Sequence, residues 1–380
     1  MALTIVQQPP AIIAALMPVV FRIQTDYTGL CHLRGMVGTL GDSIEPNALH
    51  QVTFEFSDYL RDKPVLPATL TLPAVHASAC PAQTFEFSEV YGTPPTEHNE
   101  SAVSNYRILA AKVPHWKHNF TGTIYSYISA TLKPFLTWYP NRQRKVLSSE
   151  TVHLFHLVTN AATYYVLQIQ FVVTFTDGTT ATFDGTATPG DLTDYKIVQF
   201  DVSPAIVLAW ATTNHPTKTV VSYTAQSVFH TTGDPVLLSE LRSFIINTLP
   251  FENTRQLVFR NSFGTFDQIL LRGSATITAT TDRLSANREA NYETAAVPDR
   301  VTWYNKGRQM LTAETGYMLA AEREWLNELL NSTEIYEKQS SVLVPIELRT
   351  EKFIQHTDDY QLMSVSFEFE YLQTPSIEIQ

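Results

Sequence analysis

Through most of this chain, apolar and polar residues alternate with a period of two. Val365, Phe367, Phe369 and Tyr371 share one parity, and Ser364, Ser366, Glu368 and Glu370 share the other. That is how a strand with one buried face reads. Leu167, Ile169, Phe171, Val173 and Phe175 repeat the pattern up to Asp177-Gly178, and Thr180, Thr182 and Asp184 lead away from it. Asp-Gly supplies the positive backbone angles of a tight two-residue turn, so this stretch predicts a hairpin. Val19–Gln24, Leu30–Gly35, Val52–Phe56, Thr69–Leu72 and Thr84–Phe87 predict further strands, separated by Pro, Gly, Asp and Asn. Lys196–Val202, Ile206–Trp210, Val220–Phe229 and Val342–Leu348 extend the series. Gln268–Thr281 reads as one strand with Ile269, Leu271, Gly273, Ala275, Ile277 and Ala279 inward.

Helical spacing is clearest at Gly316–Leu330. Met318, Ala321, Trp325 and Leu329, flanked by Leu326 and Leu330, form an apolar stripe, with Glu322, Arg323 and Glu328 on the wet side. Pro235–Leu249 fits either a helix through Leu238, Leu241, Ile245 and Leu249 or a pair of strands. A helix with one apolar stripe needs a sheet to cover. The expected fold is therefore mainly β: tandem β-sandwich-like domains followed by a C-terminal α+β domain with one helix packed on an antiparallel sheet. The expected limits are 1–105, 106–250 (carrying the Asp177-Gly178 hairpin) and 251–380.

Gly92–Ser104, polar and without periodicity, is the predicted linker. Arg283–Pro298, and the overlapping Asn287–Asp299, read as arms ordered on assembly. Thr53–Asp58 (TFEFSD) and Thr84–Glu89 (TFEFSE) are alike, but nothing around them matches, so they read as convergent strand patterning.

Composition agrees with sheet. Of 380 residues, 44% are hydrophobic and only 17% charged, which suits aromatic and β-branched strands. The net charge of −11 argues against nucleic acid as the main partner, since phosphate binding needs clustered cations. Arg142-Gln143-Arg144-Lys145 is too short for that and reads as a solvated loop. Cys31 and Cys80 cannot make a disulfide framework and read as buried thiols, which fits assembly in a reducing cytoplasm. Ile12–Phe21 is too short for a bilayer, is interrupted by Pro18 and reads as a first strand or an assembly arm; neither signal peptide nor membrane insertion is expected.

Candidate chemistry is thin. His115 with His118, and His153 with His156 beside Glu150, have a spacing that binds metal on a helix. In a strand that spacing puts the rings on opposite faces, and both stretches lean to strand. Asp358-Asp359 reads as a turn, and Glu368 with Glu370 as a wet strand face. Trp138, Tyr139, Tyr164 and Tyr165 suit a sugar platform or, more simply, sandwich core and edge. The sequence has no nucleophile elbow, phosphate-cradling loop or zincin helix. No catalytic, cofactor-binding or metal residue is assigned, and no enzyme is expected.

Several segments in a fixed order carry a resemblance. They are Phe56-Ser57-Asp58-Tyr59-Leu60, Phe87-Ser88-Glu89-Val90-Tyr91-Gly92, Pro134–Pro140 (PFLTWYP) and Asn261–Asp267 (NSFGTFD). Trp325–Tyr336 (WLNELLNSTEIY), Val344-Pro345-Ile346 and Phe367–Tyr371 (FEFEY) follow. In these the chain resembles a family of uncharacterised proteins encoded in the tail-gene modules of phages and prophages of Bacteroidetes. The resemblance implies a structural protein of the virion tail: a distal tail, hub or baseplate component, assembled in the host bacterial cytoplasm. It implies a ring of copies with other tail proteins as partners. A tail-tip protein binding a host-surface glycan or receptor is the alternative.

Overall fold

The computed structural model describes residues 3–9, 12–14, 19–27, 31–37, 39–60, 75–79, 82–91, 95–109, 111, 114–117, 134–158, 167–188, 196–230, 235–249, 251, 254–287, 300–340, 342–354 and 362–372. The fold is mainly β, and the chain divides into two compact units. The first holds Met1–Thr248 with Asn261–Phe266, the second Leu249–Arg260 with Asp267–Gln380. Cys80, the Thr69–Leu72 strand, Asp358-Asp359 and the stretch 288–299 of the predicted arm lie outside the described residues. Among the described residues, no helix is long and apolar enough to cross a membrane.

The first unit opens with a β-sandwich. Its strands are β1 (Leu3–Gln7), β2 (Ile12–Ala14), β3 (Val20–Thr25), β4 (His32–Val37), β5 (Leu40–Ile44) and β6 (Gln51–Glu55). A single turn of helix, α1 (Ser57–Leu60), separates these from β7 (Val75–Ala79), β8 (Ala82–Tyr91) and β9 (Thr96–Leu109). One sheet runs β1-β3-β6 and the other β2-β9-β8-β4-β5. The inward residues meet in a phenylalanine core: the Phe21 ring lies 4.7 Å from Phe85, 5.1 Å from Phe87 and 5.9 Å from Phe56. Both TFEF stretches thus point their phenylalanines inward, as the alternation predicts. Gly35 is fixed by this packing, because a Cβ there would sit 2.8 Å from the Phe54 ring.

The predicted linker is corrected here. Thr96–Ser104 is the first part of β9, paired antiparallel to β8 through Tyr91↔Thr96 and Glu89↔His98. Register shifts between Gln83/Phe85 and Phe87/Glu89 break the two-residue period, so the strand is invisible to a search for alternation.

The second half of this unit holds β10 (Arg144–Leu147), β11 (His153–Val158), β12 (Leu167–Phe175), β13 (Thr180–Asp184) and β14 (Lys196–Asp201). Helix α2 (Pro204–Asn214), β15 (Val220–Phe229), β16 (Val236–Leu237) and β17 (Arg242–Asn247) follow. One sheet runs β10-β17-β15-β12-β13, with β16 beside β15, and a second runs β11-β14-β7. Strand β7, from far upstream, therefore pairs with β14, through Val75↔Phe200 to Ala79↔Lys196. The core between the sheets is built by alternate residues of β12 with Phe200, Tyr223 and Phe244.

The Asp177-Gly178 hairpin forms between β12 and β13, but its loop has three residues. The Phe175 amide donates to the Thr179 carbonyl at 3.0 Å, and only Gly178 has a positive φ, at 78°. This is a type I turn closed by a left-handed glycine. The Asp177 carboxylate locks it by accepting from the Thr179 amide (2.9 Å) and hydroxyl (2.6 Å). Pro235–Leu249 resolves to strands, β16 and β17. Ile206–Trp210 is corrected from strand to helix. A five-residue apolar run does not distinguish the two by period, but Pro204 occupies the first helical turn, where its fixed φ starts a helix. Trp210 then stacks on Phe183, with centroids 4.3 Å apart.

The second unit is a seven-stranded antiparallel sheet. Its strands are β18 (Arg255–Arg260), β19 (Phe266–Leu271, whose first residue belongs to the first unit), β20 (Ala275–Asn287) and β21 (Arg300–Leu319). After helices α3 (Ala320–Trp325) and α4 (Asn327–Leu330) come β22 (Ile335–Gln339), β23 (Val342–Leu348) and β24 (Leu362–Tyr371). The order is β19-β18-β22-β23-β24-β21-β20. In β24 Val365, Phe367 and Phe369 are buried and Ser366 and Glu368 exposed, as predicted.

Three expectations change. Gly316–Leu319 is strand, and a bulge between Glu314 and Tyr317 places Gly316 at φ 75°. The helix has two short pieces joined at Leu326, and its enclosed set (Arg323, Trp325, Leu326, Glu328, Leu329) exceeds a single stripe. Arg323 and Glu328 are thus buried, not wet; the Arg323 guanidinium reaches the Met318 carbonyl at 2.8 Å. Finally, Gln268–Thr281 is two strands. All of β19 is buried, whereas Ala275, Ile277 and Ala279 on β20 are exposed. The break falls at Gly273, where a Cβ would lie 2.5 Å from that of Glu314.

Candidate functional site

Two of the ordered motifs meet in the first unit. The hairpin tip Asn261–Thr265 closes like the Asp177-Gly178 turn: Asn261 donates its amide to the Thr265 carbonyl at 2.8 Å, and Gly264 has φ 75°. Asn261 Oδ1 accepts from the amides of Phe263 (3.0 Å) and Thr265 (3.1 Å). Its Nδ2 donates to the Leu136 carbonyl at 2.9 Å, and the Thr265 hydroxyl donates to that same oxygen at 2.9 Å. The Trp138 indole donates to Ser262 Oγ at 2.7 Å and packs against Phe263, centroids 4.9 Å apart. Segments about 125 residues apart in sequence thus form one buried polar knot. Its polar atoms are spent on one another, which is a structural use of both motifs.

The other candidates are dispersed. Trp138 is only 7% exposed, so its faces offer no sugar platform. Tyr139 is half-buried under the Arg144 guanidinium, 5.2 Å from its ring; Tyr164 and Tyr165 lie outside the described residues. Arg144 is not in a solvated loop: it is on β10, with Glu150 at 2.7 Å, and Glu150 is buried. His153 and His156 are both buried on β11, with His156 edge-on to Phe135 at 6.1 Å. His115 is on a short 3₁₀ turn, and His118 is outside the described residues. Among the described residues no group of three or more His, Cys, Asp or Glu could hold a metal. Cys31 is a buried free thiol, and burial, with Glu89 nearby, pushes its pKa up. Glu370 is less wet than expected, with Arg349 against it, while Glu368 is exposed.

The feature that sequence reading missed is a two-stranded ribbon. Strand β21 pairs with β24 only from Met310 onward. Before that point it pairs with β20 alone, over nine rungs from Ala279↔Gln309 to Asn287↔Arg300. A bulge between Leu284 and Ser285 leaves Trp303 as the extra residue. Thr276, Ile277, Thr278, Ala279, Thr280 and Thr281 are all exposed, so both faces of β20 are wet where it leaves the sheet. Leu284, farther along, is 66% exposed. The signal available in sequence was the run of threonines without inward partners.

No family model matches the chain, and no curated protein sequence does. Among solved structures, it is similar to the subject of "Structural insight into host cell surface retention of a 1.5-MDa bacterial ice-binding adhesin". That match has 8% identity and a TM-score of 0.19, covering 80% of this chain and 88% of the other. A second is the N-terminal four Ig domains of Dscam1 isoform 4.44, with 10% identity and a TM-score of 0.17, covering 82% and 74%. Superpositions this loose carry no assignment.

Proposed function

We propose that this chain is a non-enzymatic structural component of a bacteriophage tail, built to assemble with other virion proteins. The observation that carries the assembly reading is the β20–β21 ribbon. A pair of strands with no third neighbour among the described residues is marginal on its own in water. A protein that orders nineteen residues in that form (Ala279–Asn287 and Arg300–Gln309) presents them to something else. The ordered motifs in which the sequence resembles phage tail-module proteins point to the particle.

The test is to locate the chain in particles. Tails from a phage encoding it, labelled with antibody against it and imaged by negative stain, should carry label at a fixed position. Intact, infectious tails without the chain would end the proposal.

A further inference from the structure

We propose that one face of the second unit's sheet, where β21 lies against β24, binds an uncharged glycan chain. The inference goes beyond the assembly reading and does not depend on it.

The face is built rung by rung. In the β21–β24 register Thr312 stands opposite Glu368, Glu314 opposite Ser366 and Tyr317 opposite Ser364. Residues opposite one another in an antiparallel pair share a face. This one is the reverse of the face on which Leu311, Ala313, Phe367 and Phe369 are buried. Thr312, Ser366 and Glu368 are exposed, and Glu314 and Ser364 are half-buried. Tyr317 is 82% exposed, the highest value among the described large hydrophobic residues. The next rung, Leu319 opposite Leu362, is also exposed and extends the apolar end of the strip.

A bulge puts the ring there. Thr315 and Gly316 together stand opposite Val365. Gly316 takes φ 75°, and Thr315 Oγ1 accepts the Val365 amide at 3.0 Å and donates to the Gly316 carbonyl at 2.7 Å. Bulges re-aim side chains, and this one sets tyrosine, instead of glycine, opposite Ser364. The packing gains little from it, because a ring so exposed buries little surface.

Chemistry selects the ligand. A sugar ring lays apolar C–H groups on an aromatic face and donates its hydroxyls to carboxylates. The strip supplies one ring and, within two rungs of it, two carboxylates. Glu314 and Glu368 have no ion-pair partner among the described residues, whereas the neighbouring bases Arg308 and Arg349 already face Glu370. From Thr312 to Tyr317 the strip covers two same-face spacings, about 14 Å, room for a short oligosaccharide. Its unpaired acids repel an anionic glycan. A polypeptide would have to desolvate both acids and bring cations to pair them, while sugar hydroxyls satisfy them and leave them wet.

The experiment is an array of neutral, sialylated and sulfated oligosaccharides probed with the purified full-length chain, the best neutral one then titrated calorimetrically. Binding should be confined to neutral members. Tyr317→Ala should weaken it by about tenfold and Glu368→Gln by about as much. Tyr317→Phe should bind like wild type, and far-UV circular dichroism should be unchanged in all three, since both positions are exposed. A chain that binds no neutral sugar at millimolar concentration overturns the inference. So does a preference for acidic glycans, or a Tyr317→Ala chain that binds as tightly as wild type. A lysine-rich peptide that displaces the sugar and binds more tightly than it would assign the face to a basic protein and remove the glycan.

Discussion

Asn261→Ala probes the knot between the two motifs. The wild-type side chain is 5% exposed and makes three hydrogen bonds: one donated to Leu136, two accepted from the amides of Phe263 and Thr265. Alanine removes all three, with unequal consequences. The Leu136 carbonyl keeps the Thr265 hydroxyl at 2.9 Å, so that acceptor stays satisfied. The amides of Phe263 and Thr265 lose their side-chain acceptor inside a site where both residues are fully buried. A buried donor left unpaired costs about 1–3 kcal/mol, so two give about 2–6 kcal/mol. Urea unfolding, followed on the first unit's transition, should report a loss in that range. Ser262→Ala, which removes only the acceptor of the Trp138 indole, should cost about 1–3 kcal/mol. An Asn261→Ala loss below about 1 kcal/mol, or one smaller than that of Ser262→Ala, would refute the account of the turn as the site's organiser.

Trp325→Ala should cost about 3–5 kcal/mol, because the ring is 2% exposed. Trp325→Phe keeps contact with Phe259, now 5.4 Å away, yet loses the 2.8 Å indole bond to Asp267 and should cost about 1.5–3 kcal/mol; urea unfolding of the second unit checks both. Gly35→Ala should cost about 1–3 kcal/mol by thermal unfolding, since the new methyl must displace the Phe54 ring. Burial, then the hydrogen bond to Glu337, pushes the Tyr371 phenol up to about 12. The folded state therefore keeps this proton where an unfolded tyrosine, near 10, loses it. That contribution to stability is complete below about pH 10 and is lost as pH rises through about 12. Absorbance titration at alkaline pH should show several late phenols in wild type, the buried Tyr223 among them, and one fewer in Tyr371→Phe.

Strands with one wet face were legible in sequence. β12, β15 and β24 stand within a residue or so of their expected limits, because burial on one side writes a period of two into the residues. Where burial covers both sides, as in β11 and β19, or neither, as in β20, the period is absent or misleads: the alternation read through Gln268–Thr281 named an inward face that β20 lacks. Bulges erase it too, which is why β9 passed for a linker. The apolar run of α2 was ambiguous by period, and Pro204 was the overlooked signal. Glu328 and Arg323 were misplaced because a helix in two short pieces does not keep one stripe. At the candidate site, sequence placed an arm at Arg283–Pro298. It missed that the strands of the ribbon begin farther back, at Ala279 and Gln309, since the pairing partner is known only from the fold.

The insertion of β7 beside β14 has a hereditary consequence. A recombination event that replaced only the first hundred or so codons would strip the β11-β14-β7 sheet of its upstream member, or hand it a foreign one. Offspring of such a swap would carry a naked backbone edge and tend to clump. Lineages should therefore exchange the coding region for Met1–Thr248 as one block, together with the Asn261–Phe266 tip that belongs to the same unit.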